Sequence, residues 1–523
     1  KFQRKVLFVQ YFSTFMNPSF LNLTNTAHGP RGTEAQNSLY VYQFHPSDGS
    51  LVLLNVQGEA SIIKNPAFSR HHPRLNVVYT CTEDCHENGK IIAYKLKSDG
   101  KLEQFGEPID AGGTSTCYLT IDKAHCNLLA VNYWNSTLVV IPIDPDTGEL
   151  SKEGVKNVYD PNQGMQMVAS AKLDGGVNHS CNDETTISAR QADPHSHALV
   201  LDPFVGRVAY VPDLGKDLVR EFYYDAFEGK IAIELNVMPS GLCTGKPDGP
   251  RYFEFHPQYN IAYVVNELSS TVAVFEVDRE LLNQIYTASK NGEDMNRFKG
   301  RSTLRLVQSI KTIPRAFPTT MNTCGRMCVH KSGRFVVVSN RGHQSITVFR
   351  VKNKGSKRGE LQTVGCFHTR GETPRHFQFD NSGQYLLVAN QDSNSIAVFN
   401  FNFSNGQLKY SGNEYRVPSP NFVCCCPMHA ADEHELPPLK SQLHLDKMLI
   451  SPSSTISTSS SAVSSIEVTD GGRGRSTSLG SDISEDSTVP VWGQSSSGGN
   501  VKAELAQAKR EIESLRKLLA EKA

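Results

Sequence analysis

Several histidines, arginines and acids of this 523-residue chain stand at matching places in a repeated pattern, and their types suit proton transfer and the holding of anions. Arg251 and Glu267 stand in GPRYFEFHPQYNIAYVVNELSSTVAVFEVD, which begins at Gly249. His195 and His197 stand in DPHSHALVLDP, Arg341 in SNRGHQ and Arg375 in TPRHFQFD. A histidine or glutamate can take a proton from a nucleophile and return it to a leaving group. An arginine presents a planar fork of donors that grips a carboxylate, a phosphate or a developing oxyanion. Such chemistry requires the side chains to share one space, and that is decided by the elements carrying them.

Those elements are short. Apolar runs of five to seven residues, rich in Val, Ile, Tyr and Phe and bounded by Pro, Asn, Gly and Ser, read as strands. Three such runs joined by turns make an antiparallel meander, and the unit recurs from His71, Gly112, Asp193, Gly249, Asn322 and Thr373. A seventh copy is assembled from both ends of the chain: KVLFVQYF and NSLYVYQFHPSDGSL near the start, and EYRVPSPNFVCC from Glu414. Radial repetition closed in this way leaves no free sheet edge. The sequence therefore predicts an all-β fold, a seven-bladed β-propeller over residues 1–427, with Val6–Phe12 held in a sheet beside Val423.

In an antiparallel pair the start of strand one lies beside the end of strand two, so Arg251 and Glu267 are expected to be neighbours. The same construction in every copy brings one set of blade ends to one mouth of the channel. Strand-one starts contribute His195, His197, Arg251, Asn322 and Arg375. Strand-two ends contribute Asn132, Tyr133, Asp213, Asn266, Glu267, Asn340, Arg341, Asn390 and Gln391. An ion pair that merely satisfies buried charge between blades is the other reading of any one of these residues.

Composition narrows function little. Lys plus Arg and Asp plus Glu both number 53, which gives no electrostatic case for nucleic acid or membrane. No apolar run approaches the length that spans a bilayer. Twelve cysteines are ordinary for a reduced, cytoplasmic protein; Cys117, Cys328 and Cys366 read as small core residues. Cys81 and Cys85, and Cys424 to Cys426 with His429 and His434, lack a second pair at zinc-like spacing, so neither metal nor cofactor is expected. Residues 428–500, dominated by Ser, Thr and Gly, read as a disordered linker carrying RGRSTS and SDISED as phosphorylation candidates. Val501, Leu505, Ala508, Ile512, Leu515 and Leu519 then form the seam of a coiled-coil helix over 501–523. Three heptads with one Ala in the core predict weak homo-oligomerisation.

Taken in order at blade spacing, HSHALVLDP, GPRYFEFHP with VVNELSSTV, SNRGHQSITVF, and PRHFQFD with VANQDSNSIAVF resemble the seven-bladed propeller lactonase family from about residue 35 to 425. That family includes propeller-type 6-phosphogluconolactonases and fungal carboxymuconate lactonising enzymes. The resemblance implies a catalytic set of His197, Arg251, Glu267 and Arg341, with His195, Asp213, Asn266, Asn340, Arg375 and Gln391 around the substrate. Water opening a lactone needs a base and donors for the carbonyl oxygen, which His197 or Glu267 and the arginines could supply. The family pattern usually has an acid where Arg326 stands, after Gly325, and His where Tyr252 stands. These departures leave altered substrate choice or lost activity as readings of the sequence.

Three functions follow as expectations: hydrolysis of a small anionic sugar lactone, 6-phosphogluconolactone first among them; a muconate-type lactonising isomerase; and a non-catalytic propeller that serves as an interaction platform.

Overall fold

The second run of each repeat is the most apolar because it is buried on both faces. In the computed structural model, Val77–Thr82, Asn127–Asn132, Val208–Asp213, Ile261–Asn266 and Tyr385–Asn390 are buried at every position. A strand covered by neighbouring layers on both sides reads as a continuous apolar run rather than an alternating one. The structure describes residues 5–11, 37–59, 63, 65–84, 87–160, 190–242 and 244–427. The linker 428–500 and the helix 501–523 lie outside the described residues, as do Phe12, Cys85, His429 and His434.

The described strands form seven antiparallel sheets, and the fold is an all-β propeller. Five sheets have four strands consecutive in sequence, against the three of the sequence unit, because each of these repeats adds an outer strand beyond the three apolar runs. Gln407–Arg416 is one, and its exposure alternates along its length, as expected of an edge. Residues Glu414–Arg416 belong to this outer strand, while the closing strand is Pro420–Pro427. That strand pairs with Lys5–Tyr11, matching Val6 with Cys426 and Val9 with Val423, so the first sheet takes strands from both ends of the chain. The copy read from His71 begins one strand earlier, at Pro66–His71, which pairs with Val77–Thr82.

Inner strands of neighbouring sheets pack on one another around the axis: Pro420–Pro427 touches both Pro374–Phe379 and Pro66–His71, which in turn meets Thr116–Ile121. An insertion before Leu304–Lys311 forms a helix, Arg279–Lys290, capped by the Asp278 side chain accepting from Leu281 N. Its Leu281, Leu282 and Ile285 are buried in a cluster with Phe275 and, from the preceding sheet, Tyr210 and Tyr223.

Candidate active site

Glu267 begins the turn that follows Ile261–Asn266, and its backbone is fixed from two sides: its N–H donates to Gly249 O (2.6 Å) and its carbonyl accepts from Cys324 N (3.1 Å) of the next blade. The turn closes through Ser270, at φ +53°. With the backbone fixed, the carboxylate meets three guanidiniums. Arg190 Nη2 lies 2.6 Å and Arg341 Nη2 2.9 Å from Oε1, and Arg251 Nε lies 2.8 Å from Oε2. Arg251 Nε makes no directed hydrogen bond, so the last contact is an ion pair off the N–H axis. Arg251 Nη1 donates to Gly325 O (2.9 Å), and Arg341 Nη2 also donates to Cys324 O (2.7 Å).

Two glycines permit this geometry. A Cβ on Gly325 would lie 2.6 Å from Ser339 Oγ and 2.7 Å from Arg375 O, so the strand can approach its neighbour only without one. Gly342, beside Arg341, has φ +115°, and a Cβ there would fall 1.9 Å from Met321 O.

Burial works against the charge on Glu267, yet Arg190, Arg341 and Arg251 outweigh it and hold the carboxyl well below the ordinary glutamate range. Burial pushes Arg341 down to about 10 despite Glu267, helped by Arg251, Arg375 and Arg190, which leaves it protonated at neutral pH. His197 is buried in the same field; desolvation first and Arg251 second hold it well below the usual histidine value. It is therefore neutral at pH 7. Its Nδ1 lies 3.9 Å from Cys117 Sγ, whose thiol burial keeps protonated. Cys117 is thus buried, as the sequence suggested, but against the candidate histidine.

The four residues His197, Arg251, Glu267 and Arg341 share one space, together with Arg375, whose Nη2 lies 3.8 Å from Glu83 Oε2. His195 stands at the margin, stacked on Tyr133 with ring centroids 4.8 Å apart. Of the other expected substrate contacts, Asp213, Asn266 and Asn340 have side chains tied to the frame. Asp213 accepts from His195 N (2.8 Å) and Arg220 Nε (2.9 Å). The Asn266 amide donates to Ser240 O (2.9 Å), and the Asn340 amide to Thr312 O (3.2 Å). Asn132 and Asn390 do the same to Ala111 O and Thr369 O, and Asn322 bonds Ser270 Oγ and Asn340 Oδ1. Gln391 is buried, and its backbone N–H donates to Thr373 O (3.0 Å).

Two charged residues of this space were missed in the sequence. Glu83 follows Val77–Thr82 at the place where Glu267 follows its own strand, and a repeat counted from His71 hides this because its first strand is Pro66–His71. Arg190 is helical, lies ahead of the histidines and carries no strand register from which to place it. Arg326, the departure from the family pattern, pairs instead with Glu254 (2.9 Å). It lines a separate cavity of about 540 Å³ with Glu254, Arg70, Lys331, Phe68 and Phe422, which includes none of Arg190, Arg251, Glu267 or Arg341. Tyr252 lies between the two regions, 4.9 Å from the Arg251 guanidinium and 4.8 Å from that of Arg326.

Repeated antiparallel sheets around an axis, with guanidiniums and carboxyls gathered where the inner strands begin, define a propeller with a charged cluster at one set of blade ends. The chain belongs to the lactonase family of seven-bladed β-propellers, whose model matches residues 26–425. It is 28% identical over 373 residues to a 6-phosphogluconolactonase of Bacillus subtilis, covering 71% of this chain and 89% of that protein. A 6-phosphogluconolactonase of Formosa agariphila is 27% identical over 375 residues, covering 71% and 90%. Among solved structures, the periplasmic gluconolactonase PpgL of Pseudomonas aeruginosa superposes with a TM-score of 0.60 at 22% identity, over 81% of this chain and 99% of that one. At that identity the likeness is one of fold. Among the described residues no His, Cys, Asp and Glu group of three or more could hold a metal, and no helix is long and apolar enough to cross a membrane.

Proposed function

We propose that the chain opens a small anionic sugar lactone with water, and that 6-phosphogluconolactone is the substrate. The observation that carries this reading is the gathering of Arg190, Arg251, Arg341 and Arg375 around two carboxyls at one mouth. Four cations against at most two anions leave a net positive site, which attracts a phosphate or carboxylate and stabilises charge growing on a carbonyl oxygen. The names of the relatives from Bacillus subtilis and Formosa agariphila point to the same substrate.

Glu267 is a poor base in this arrangement, since three guanidiniums hold its proton affinity down; it acts as the hub that positions them. Neutral His197 offers ring nitrogens to the same space. The test is aldonate formation by purified protein from 6-phosphoglucono-δ-lactone and glucono-δ-lactone, corrected for spontaneous hydrolysis, beside lactone formation from a muconate. Turnover of the phosphorylated lactone that is lost in Arg251→Ala and His197→Ala is the expected result. Turnover of muconate alone would make the protein an isomerase, and turnover of none would leave an interaction platform.

A further inference from the structure

We propose that Glu83 is the group that moves the proton in this site, taking it from the attacking water and returning it to the ring oxygen. The inference rests on the lactone-hydrolysis reading and deepens it. Glu83 occupies in its blade the place of Glu267: it follows the second strand, and its N–H donates to Asn65 O (2.8 Å) as that of Glu267 donates to Gly249 O. The two carboxyls then part company. Glu267 is covered by three guanidiniums within 2.9 Å, whereas Glu83 is 8% exposed, its Oε2 has no hydrogen-bond partner, and the Arg375 guanidinium stands 3.8 Å away, beyond hydrogen-bond reach. A buried oxygen without a partner is costly unless another molecule completes it, and a substrate water at the mouth does so.

The groups that face Glu83 are the cations Arg375 and Arg251 and the thiols Cys81 and Cys117. Burial raises its proton affinity, and the two arginines offset part of that rise. Both thiols are kept protonated by burial, so neither competes as a base near neutral pH, and neutral His197, held well below the usual value, is the group to be separated from Glu83 by experiment. A carboxyl poised above its ordinary range, beside cations that stabilise the charged form only in part, is suited to accept and return one proton.

The step balances without another reactant. The water oxygen bonds to the lactone carbonyl carbon while its proton passes to Glu83, and the carbonyl π pair moves onto oxygen, facing the guanidiniums. Collapse of this tetrahedral oxyanion breaks the bond to the ring oxygen, which takes the proton back from Glu83 and leaves as a hydroxyl. The acid formed then loses its proton to solvent.

The experiment compares wild type, Glu83→Gln, Glu83→Ala and His197→Gln on 6-phosphoglucono-δ-lactone, from acid to neutral pH. Glu83→Gln is expected to lower kcat by about 10²–10⁴-fold with little change in KM and Tm. It should also abolish the acid limb of the rate profile, a limb that in wild type lies above the ordinary glutamate value. Formate should restore part of the rate of Glu83→Ala. A Glu83→Gln kcat within about threefold of wild type, or an acid limb that disappears in His197→Gln instead, overturns the assignment while the hydrolase reading stands. Should Glu83→Gln fail to fold, Glu83→Asp decides: a reduced kcat with the acid limb kept supports the assignment, and an unchanged kcat overturns it. A wild type that opens no lactone overturns both.

Discussion

Arg251 is bound at one nitrogen to a carboxylate and at another to the Gly325 carbonyl, so its fork is already oriented before any anion arrives. A lysine can replace the charge but not the two directions. Arg251→Lys is therefore expected to lower kcat/KM for the phosphorylated lactone by about ten- to a hundredfold, the equivalent of a charged hydrogen bond of about 1.5–3 kcal/mol. Near-normal kinetics with a lowered Tm would make Arg251 a structural ion-pair partner only. The neighbourhood of Arg251 and Glu267 was legible in the sequence because antiparallel pairing sets the start of one strand beside the end of the next. The same rule reached Arg341 and would have reached Glu83 with the blade begun at Pro66. It could not tell a polar side chain aimed at the channel from one turned back on the backbone, which is why Asn266 and Asn340 were read as substrate contacts while their amides hold Ser240 O and Thr312 O.

Strands were legible wherever they are buried on both faces, and the outer ones were not, since Leu361–His368 and Gln407–Arg416 mix exposed polar residues into a weak pattern. The asparagines that end the second strands show how blades are joined. Asn132, Asn266, Asn340 and Asn390 each reach a carbonyl at the end of the preceding blade. The joint to the closing strand differs: Val423 N–H donates to His376 Nδ1 (3.3 Å), and the His376 ring packs on Phe422 with centroids 4.2 Å apart. That bond needs an unprotonated Nδ1. Burial, with Arg326, Arg251, Arg70 and Arg375 nearby, accordingly holds His376 well below the usual value of about 6.5. The unfolded chain takes up a proton below that value while the folded one refuses it, so stability is present above about pH 6.5 and is lost as pH falls. His197 acts in the same direction. Tm should thus decrease steadily on acidification from pH 7, and His376→Gln, whose amide oxygen can accept from Val423 N–H, should make that decrease shallower. An unchanged slope in the variant would show that the joint carries no proton linkage.

At the scale of the whole molecule, the ring is closed by hydrogen bonds between the first and last described strands, Lys5–Tyr11 and Pro420–Pro427. This was legible because the first copy of the repeat was incomplete and an unused apolar run stood near residue 420. Closure has a consequence that separates two nearby truncations. Ending the chain at Pro427 leaves all seven sheets complete while removing the Ser-rich segment and the heptad pattern of 501–523. That protein should keep the Tm of its propeller and any lactonase activity, and elute at a lower apparent mass. Ending it at Arg416 instead removes the strand that carries Phe422 and is the pairing partner of Lys5–Tyr11, leaving an open sheet edge. Phe422 packs on both Phe68 (4.7 Å) and His376 (4.2 Å), so the loss extends into two further blades and the cavity their strands line. The shorter protein should aggregate or unfold at a much lower temperature, with activity lost alongside structure. Scanning calorimetry and gel filtration of the two products read this directly. Equal stability of both would mean that the ring holds without its closing strand, and loss of activity in the folded product ending at Pro427 would assign the segment beyond it a part in the reaction.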